Sequence, residues 1–101
     1  MSGDKIVVTV DEDLEELIPG FLENRGNDVQ LLREAISGED FTRIQSTGHS
    51  LKGVGGGYGF DGLSEIGASI EIAAKEQNMP QIEQLVDQMA DYLERIEVVY
   101  E

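Results

Sequence analysis

The chain has 101 residues, with 21 acidic side chains against seven basic ones, a net charge of −14, no cysteine and a single histidine. That length allows one domain, residues 1–101, around one core. The charge disfavours nucleic acid and anionic membrane surfaces as partners; the missing cysteines exclude a disulfide framework, a thiol nucleophile and a Cys metal site, and the single histidine excludes a His-rich zinc site.

Residues 1–4 are expected to form a loose terminus. Lys5 to Val10 is β-branched and suits an extended segment. A lone strand cannot form a sheet, so the segment is expected to lie along the rest of the fold or to pair with a second subunit. It is too short for a signal-peptide core or a membrane span, and a cytoplasmic location is the default expectation.

Asp11 can cap a helix whose first turn holds Glu12, Asp13, Glu15 and Glu16, where the helix dipole favours acids. Leu14, Leu17, Ile18, Phe21 and Leu22 recur at helical spacing, but Pro19 and Gly20 interrupt them. The pattern predicts a short first helix, a kink or break near Ile18–Gly20, and a second helix to about Ile36 that Gly38 ends. The next helix opens at Glu39 and Asp40 and carries Phe41, Ile44, Leu51, Val54 and Tyr58. Asp61 is expected to cap a further helix with Leu63, Ile66, Ile70, Ala73 and Ala74 on one stripe. Its small residues, Gly67 and Ala68 among them, permit close approach of a neighbour. Asn78-Met79-Pro80 starts the last helix, on which Ile82, Leu85, Val86, Met89, Leu93, Ile96 and Val99 recur every three to four residues. The fold class is therefore all-α: an antiparallel four-helix bundle with a short extra N-terminal helix and an extended N-terminal segment.

One stretch departs from the acidic background. From Phe41 to Phe60 there is no Asp or Glu, and Arg43 and Lys52 make this segment +2, which leaves −16 on the remaining residues. It holds His49. At about 100° per residue, Ile44, Leu51 and Tyr58 lie roughly opposite His49, while Lys52, Gly53 and Gly56 share its side. His49 therefore points away from the core. Gly53, Gly55, Gly56, Gly57 and Gly59 each cost about 1 kcal/mol in a helix interior, against a total stability of about 5–15 kcal/mol. Either the helix ends among Gly55–Gly57 or bare backbone is being used for close approach. Gly53, one turn after His49, leaves the imidazole uncovered, and Lys52 places an ammonium beside it. An accessible imidazole next to a cation suits an anionic group delivered to the ring, and imidazole can carry a phosphoryl group as a phosphoramidate.

His49-Ser50-Leu51-Lys52-Gly53, followed by Gly59 and Leu63, resembles the H-x-x-K-G motif of histidine-phosphotransfer (HPt) domains. The run on to Tyr58-Gly59-Phe60 is especially similar to the phosphotransfer domain of chemotaxis histidine kinases. The motif covers about 15 residues and the flanking pattern most of the chain. The resemblance implies that His49 is phosphorylated on Nε2, that Lys52 stabilises the phosphoryl oxygens, and that Gly53 gives a receiver domain clearance. It also implies that Glu71 hydrogen-bonds the ring and tunes its basicity; the plainer reading of Glu71 is a solvated helix-face acid. Gly48 stands where alanine is common in the family. The partners implied are response-regulator receiver domains and a histidine kinase, with the chain a monomeric phosphocarrier in a two-component phosphorelay. It would have no kinase activity and no cofactor of its own, the Mg²⁺ belonging to the receiver. Docking is expected on exposed faces of the first two helices near Ile18, Phe21 and Leu22; the plainer reading of those residues is core.

Other readings fit less well. Gly57-Tyr58-Gly59-Phe60-Asp61-Gly62 matches G-x-G-x-x-G, but it follows a helical pattern where a dinucleotide loop follows a strand. No phosphate-binding G-x-x-x-x-G-K-[ST] run and no D-x-[DN]-x-[DN]-G calcium loop occurs. An excised fragment of a kinase is disfavoured, because Met1 opens the chain and the last helix closes it, so a whole domain is expected. The alternative from a different class is a helical adaptor that binds protein without phosphate chemistry.

Overall fold

The computed structural model describes residues 4–101. Of the terminus expected to be loose, residues 1–3 lie outside the described residues. Asp4 is tied down: its carbonyl accepts a hydrogen bond from Arg95 Nε at 2.8 Å. The elements in order are strand β1 (Ile6–Val10), a 3-10 segment (Glu12–Leu17), helices α1 (Ile18–Ser37), α2 (Phe41–Gly57), α3 (Asp61–Lys75) and α4 (Met79–Arg95), and strand β2 (Ile96–Tyr100).

The chain breaks where its breakers stand. Asp11 caps the 3-10 segment by accepting from the Asp13 N–H, and Pro19 then falls in the first turn of α1, where a missing N–H costs nothing. The break thus lies at Leu17–Ile18, at the leading edge of the expected range. Leu17 itself is 53% exposed and not part of the core stripe.

The three helix-to-helix connections share one design. After α1, the Asp40 N–H bonds the Ala35 carbonyl and Glu39 N–H the Ile36 carbonyl; after α2, Phe60 bonds Gly55 and Gly59 bonds Gly56; after α3, Asn78 bonds Ala73 and Gln77 bonds Ala74. These are paired C-terminal caps that turn the chain through one left-handed residue, here Glu39, Gly59 and Gln77. The residue that completes each cap is also the N-cap of the following helix: Asp40, Phe60 and Asn78. Asp40 and Asn78 accept from the backbone N–H three residues on. Phe60, not the expected Asp61, is the N-cap of α3. Asp61 is its first residue and still lies in the turn where negative charge is favoured. Connections this short force neighbouring helices antiparallel.

The four apolar stripes meet in one core, with Leu32 of α1, Ile44 and Leu51 of α2, Leu63 and Ile70 of α3, and Ile82, Val86 and Met89 of α4 essentially inaccessible. Among the described residues no charged or polar side chain is buried, so the large negative charge sits in solvent. The fold is the expected all-α bundle.

The last helix is shorter than its periodicity predicts. Ile96 and Val99 continue the helical spacing, yet α4 stops at Arg95 and Ile96–Tyr100 forms β2, parallel to β1 in the register Ile6↔Ile96 to Val10↔Tyr100. The expected lone extended segment therefore pairs within its own chain. Ile96, Val98 and Val99 are β-branched and Tyr100 is aromatic, all weaker in a helix than in a strand, and a strand partner satisfies their backbone while a helix end cannot. Alternation finishes the account: Val8 and Val10 are buried against the bundle, and Val7 and Val99 face out. Beyond the ladder, Glu101 N–H bonds the Val10 carbonyl and Glu12 N–H bonds the Glu101 carbonyl, closing the ribbon onto the 3-10 segment.

Candidate functional site

His49 lies midway along α2, and the residues on either side of it face opposite environments. Gly48 is buried against α3, whereas the His49 side chain is 70% exposed. The expected outward orientation follows, with Ile44 and Leu51 in the core; Tyr58, expected in the same stripe, is half-buried, its ring stacked on Phe21 at 4.5 Å between centroids. The helix runs through the glycines and ends at Gly57, with Tyr58 as cap and Gly59 at φ 88°.

Among the described residues, one side chain hydrogen-bonds the ring. Glu71, from α3, places Oε2 3.1 Å from His49 Nδ1. The carboxylate is 14% exposed, so it is mostly packed between the helices. An ionised carboxylate can only accept, so Nδ1 carries the proton. In the neutral ring the lone pair is then on Nε2, the nitrogen a neighbour can approach. Lys75, one turn after Glu71, brings Nζ to 3.9 Å from the same Oε2. The geometry thus joins His49, Glu71 and Lys75 in a row, with the carboxylate between the imidazole and the ammonium.

Lys52 and Gly53 stand exposed one turn beyond His49. A Cβ at Gly53 would meet nothing within 4 Å, so the space there is open. Among the described residues the Lys52 ammonium has no ion-pair or hydrogen-bond partner, while its backbone carbonyl accepts from Ser64 Oγ at 2.7 Å and ties α2 to α3. The four expected site residues, His49, Lys52, Gly53 and Glu71, therefore converge on one face of the α2–α3 pair, although Glu71 is remote in sequence. Among the described residues, no group of three acidic or histidine side chains is placed to hold a metal.

The model of the Hpt domain family matches residues 10–98. The chain belongs to the Hpt domain family. No curated protein and no solved structure gives a significant match. Hpt domains are phosphocarriers with a phosphotransfer role in phosphorelays, where they work with histidine kinases and response-regulator receivers. Among the described residues of this Hpt domain, no helix is long and apolar enough to cross a membrane.

One expectation for the Hpt surface needs correcting. Ile18 and Phe21, near which an exposed docking face was expected, are themselves 2% and 5% exposed, and Leu22 is half-buried, so the plainer core reading holds for them. They follow the helical stripe into the core, where Phe21 also stacks on Phe60 at 5.0 Å. The end of the 3-10 segment, α1 and α2 enclose an open groove lined by Leu17, Gly20, Asn24, Arg25 and Val54, with the rings of Phe21 and Tyr58 at its base. Two participants were not visible as such in the sequence. Lys75 could have been found from its i,i+4 spacing to Glu71. Ser64 carries no local signal, because its partner is a carbonyl on another helix.

Proposed function

We infer that this Hpt domain carries a phosphoryl group on His49 Nε2 and exchanges it with the aspartate of a receiver domain. The observation that supports the reading best is the Glu71 Oε2 to His49 Nδ1 hydrogen bond on an exposed ring. It reserves the Nε2 lone pair for attack on phosphorus. As the N–P bond forms, the bond from phosphorus to the aspartyl oxygen breaks, and the electron pair leaves on the restored aspartate carboxylate. The ring becomes cationic with its proton still on Nδ1, where the Glu71 carboxylate offsets the new charge. Lys52 faces the phosphoryl oxygens, and the open space over Gly53 admits the partner.

The carrier supplies a nucleophile and a cation and leaves the rest to the partner, including the Mg²⁺ that neutralises the transferring group. A histidine kinase supplying phosphate to the same nitrogen fits the same geometry. The carrier works as a cytoplasmic monomer with no catalytic turnover of its own. The locally basic face relieves repulsion between a strongly acidic chain and the acidic pocket of a receiver.

The test is phosphotransfer from a panel of phosphorylated receiver domains and kinases. An acid-labile, base-stable phosphate is expected on the native chain and none on His49→Gln. If no partner places phosphate on His49 while the chain still binds proteins through this face, the domain is an adaptor and the carrier reading fails.

A further inference from the structure

The His49–Glu71 contact spans two helices, so something must fix their separation. The backbones of α2 and α3 touch at Gly48 and Gly67. A Cβ built on Gly48 would lie 2.7 Å from the Glu71 backbone nitrogen and 2.8 Å from the Gly67 carbonyl oxygen. A Cβ on Gly67 would lie 2.7 Å from the Lys52 nitrogen and 2.8 Å from the Gly48 carbonyl oxygen. These neighbours are backbone atoms of packed helices and cannot rotate aside. Gly48 thus abuts the backbone of Glu71 itself, and the next residue, His49, receives the Glu71 carboxylate.

We propose that Gly48 is a positioning residue for His49, resting on the reading of His49 as the phosphoryl acceptor. Where the family commonly has alanine, this chain packs α3 directly on the bare backbone of Gly48, and at that spacing Glu71 holds the proton on Nδ1. Moving a Cβ from 2.7 Å to the 3.4 Å where ordinary contact begins displaces the Glu71 backbone by about 0.7 Å. If the carboxylate follows along the line of the contact, the 3.1 Å distance opens to as much as about 3.8 Å, beyond a hydrogen bond. The packed Glu71 side chain has little freedom to recover that distance. Ser64, bonded to the Lys52 carbonyl, holds the other end of the same seam and keeps α3 from pivoting back.

The tautomer of His49 gives a readout that does not depend on phosphorylation. The ¹⁵N shifts of the imidazole distinguish a ring locked with its proton on Nδ1 from one exchanging between both nitrogens. Glu71→Ala defines the unlocked ring. Folded Gly48→Ala is expected to move the shifts at least halfway to that limit and to slow transfer about tenfold, or about 1.4 kcal/mol of barrier. Gly26→Ala on α1, where a Cβ meets nothing within 4 Å, is expected to leave both unchanged. Adding Gly48→Ala to Glu71→Ala should change neither tautomer nor rate further, because the two act through one contact. A folded Gly48→Ala with native shifts, or a further tenfold loss in the double variant, overturns the proposal.

Should Gly48→Ala not fold, Glu71→Asp asks the same question with the seam intact. The carboxylate is one methylene shorter, and the ring is expected to unlock. Native shifts in that variant show slack in the reach and overturn the proposal. A locked native ring that accepts no phosphate from any partner defeats the carrier reading alone. A phosphorylated His49 whose tautomer ignores Gly48→Ala defeats the positioning role alone.

Discussion

Replacing Gly53 with glutamine should make the protein more stable and less active at once. Gly53 is interior to α2, exposed, and open to a side chain at its Cβ. Glycine is disfavoured in a helix interior by about 0.8–1.0 kcal/mol relative to alanine, and glutamine lies near the alanine end of the scale. The substitution therefore gains about 0.5–0.9 kcal/mol with no clash to offset it. For a domain of this size that raises Tm by roughly 3–6 °C. The same side chain occupies the space one turn from His49 through which a receiver must come. Transfer from a phosphorylated receiver should fall at least about a hundredfold, equivalent to about 2.7 kcal/mol. Phosphorylation by a small donor such as phosphoramidate needs no docking and should stay within about twofold of native. The assay is a thermal melt beside two phosphorylation time courses. A variant that is more stable and still transfers at the native rate refutes clearance as the role of Gly53. Equal loss with both donors refutes it too, since the damage would then lie in the imidazole.

Lys52→Ala should slow transfer by about 5–30-fold and shorten the lifetime of the phosphohistidine, as a unit charge near the phosphoryl oxygens is worth about 1–2 kcal/mol in a partly solvated site; unchanged rate and half-life sink the contact. Leu32→Ala removes a side chain with no solvent exposure and should cost about 2–5 kcal/mol, read from the denaturant midpoint at unchanged m-value. Tyr92 has its phenol pushed above the usual 10.0 by burial, with the Asp61 charge adding to it and a backbone hydrogen bond at Leu63 opposing. The raised group favours the neutral phenol in the folded state. Its contribution is complete below the unfolded value and is lost as pH rises above 10.0 through the folded one. Native protein should therefore lose more stability than Tyr92→Phe between about pH 9 and 12, and parallel losses would remove the assignment.

Much of the fold could be read from local chemistry. The stripes on α2 and α3 place Leu51 and Ile70 inside because periodicity reports a face directly. Asp40 and Asn78 announce their helices because capping acts within three residues. Leu17 misled because its spacing fits the stripe, while the 3-10 segment that carries it turns at a different pitch. Ile96 and Val99 misled for a related reason. Their spacing is helical, but the competing partner for their backbone lies at the other end of the chain. Phe21 lies in the helical stripe, as periodicity expects, and its partners Tyr58 and Phe60 beyond the end of α2 are what the sequence of α1 does not name.

The sequence by itself determined that His49 faces outward, that Lys52 and Gly53 share its side, and that four amphipathic helices enclose one core. Each of those is a consequence of helical pitch acting over a few residues. Only the tertiary structure decided that Glu71 reaches Nδ1, that Lys75 stands behind it, and that the terminal segments pair as a ribbon. Gly48 marks the divide. In the sequence it is a small residue beside the histidine; in the fold it is the place where two backbones meet, and the hydrogen-bond distance to His49 depends on how closely they do.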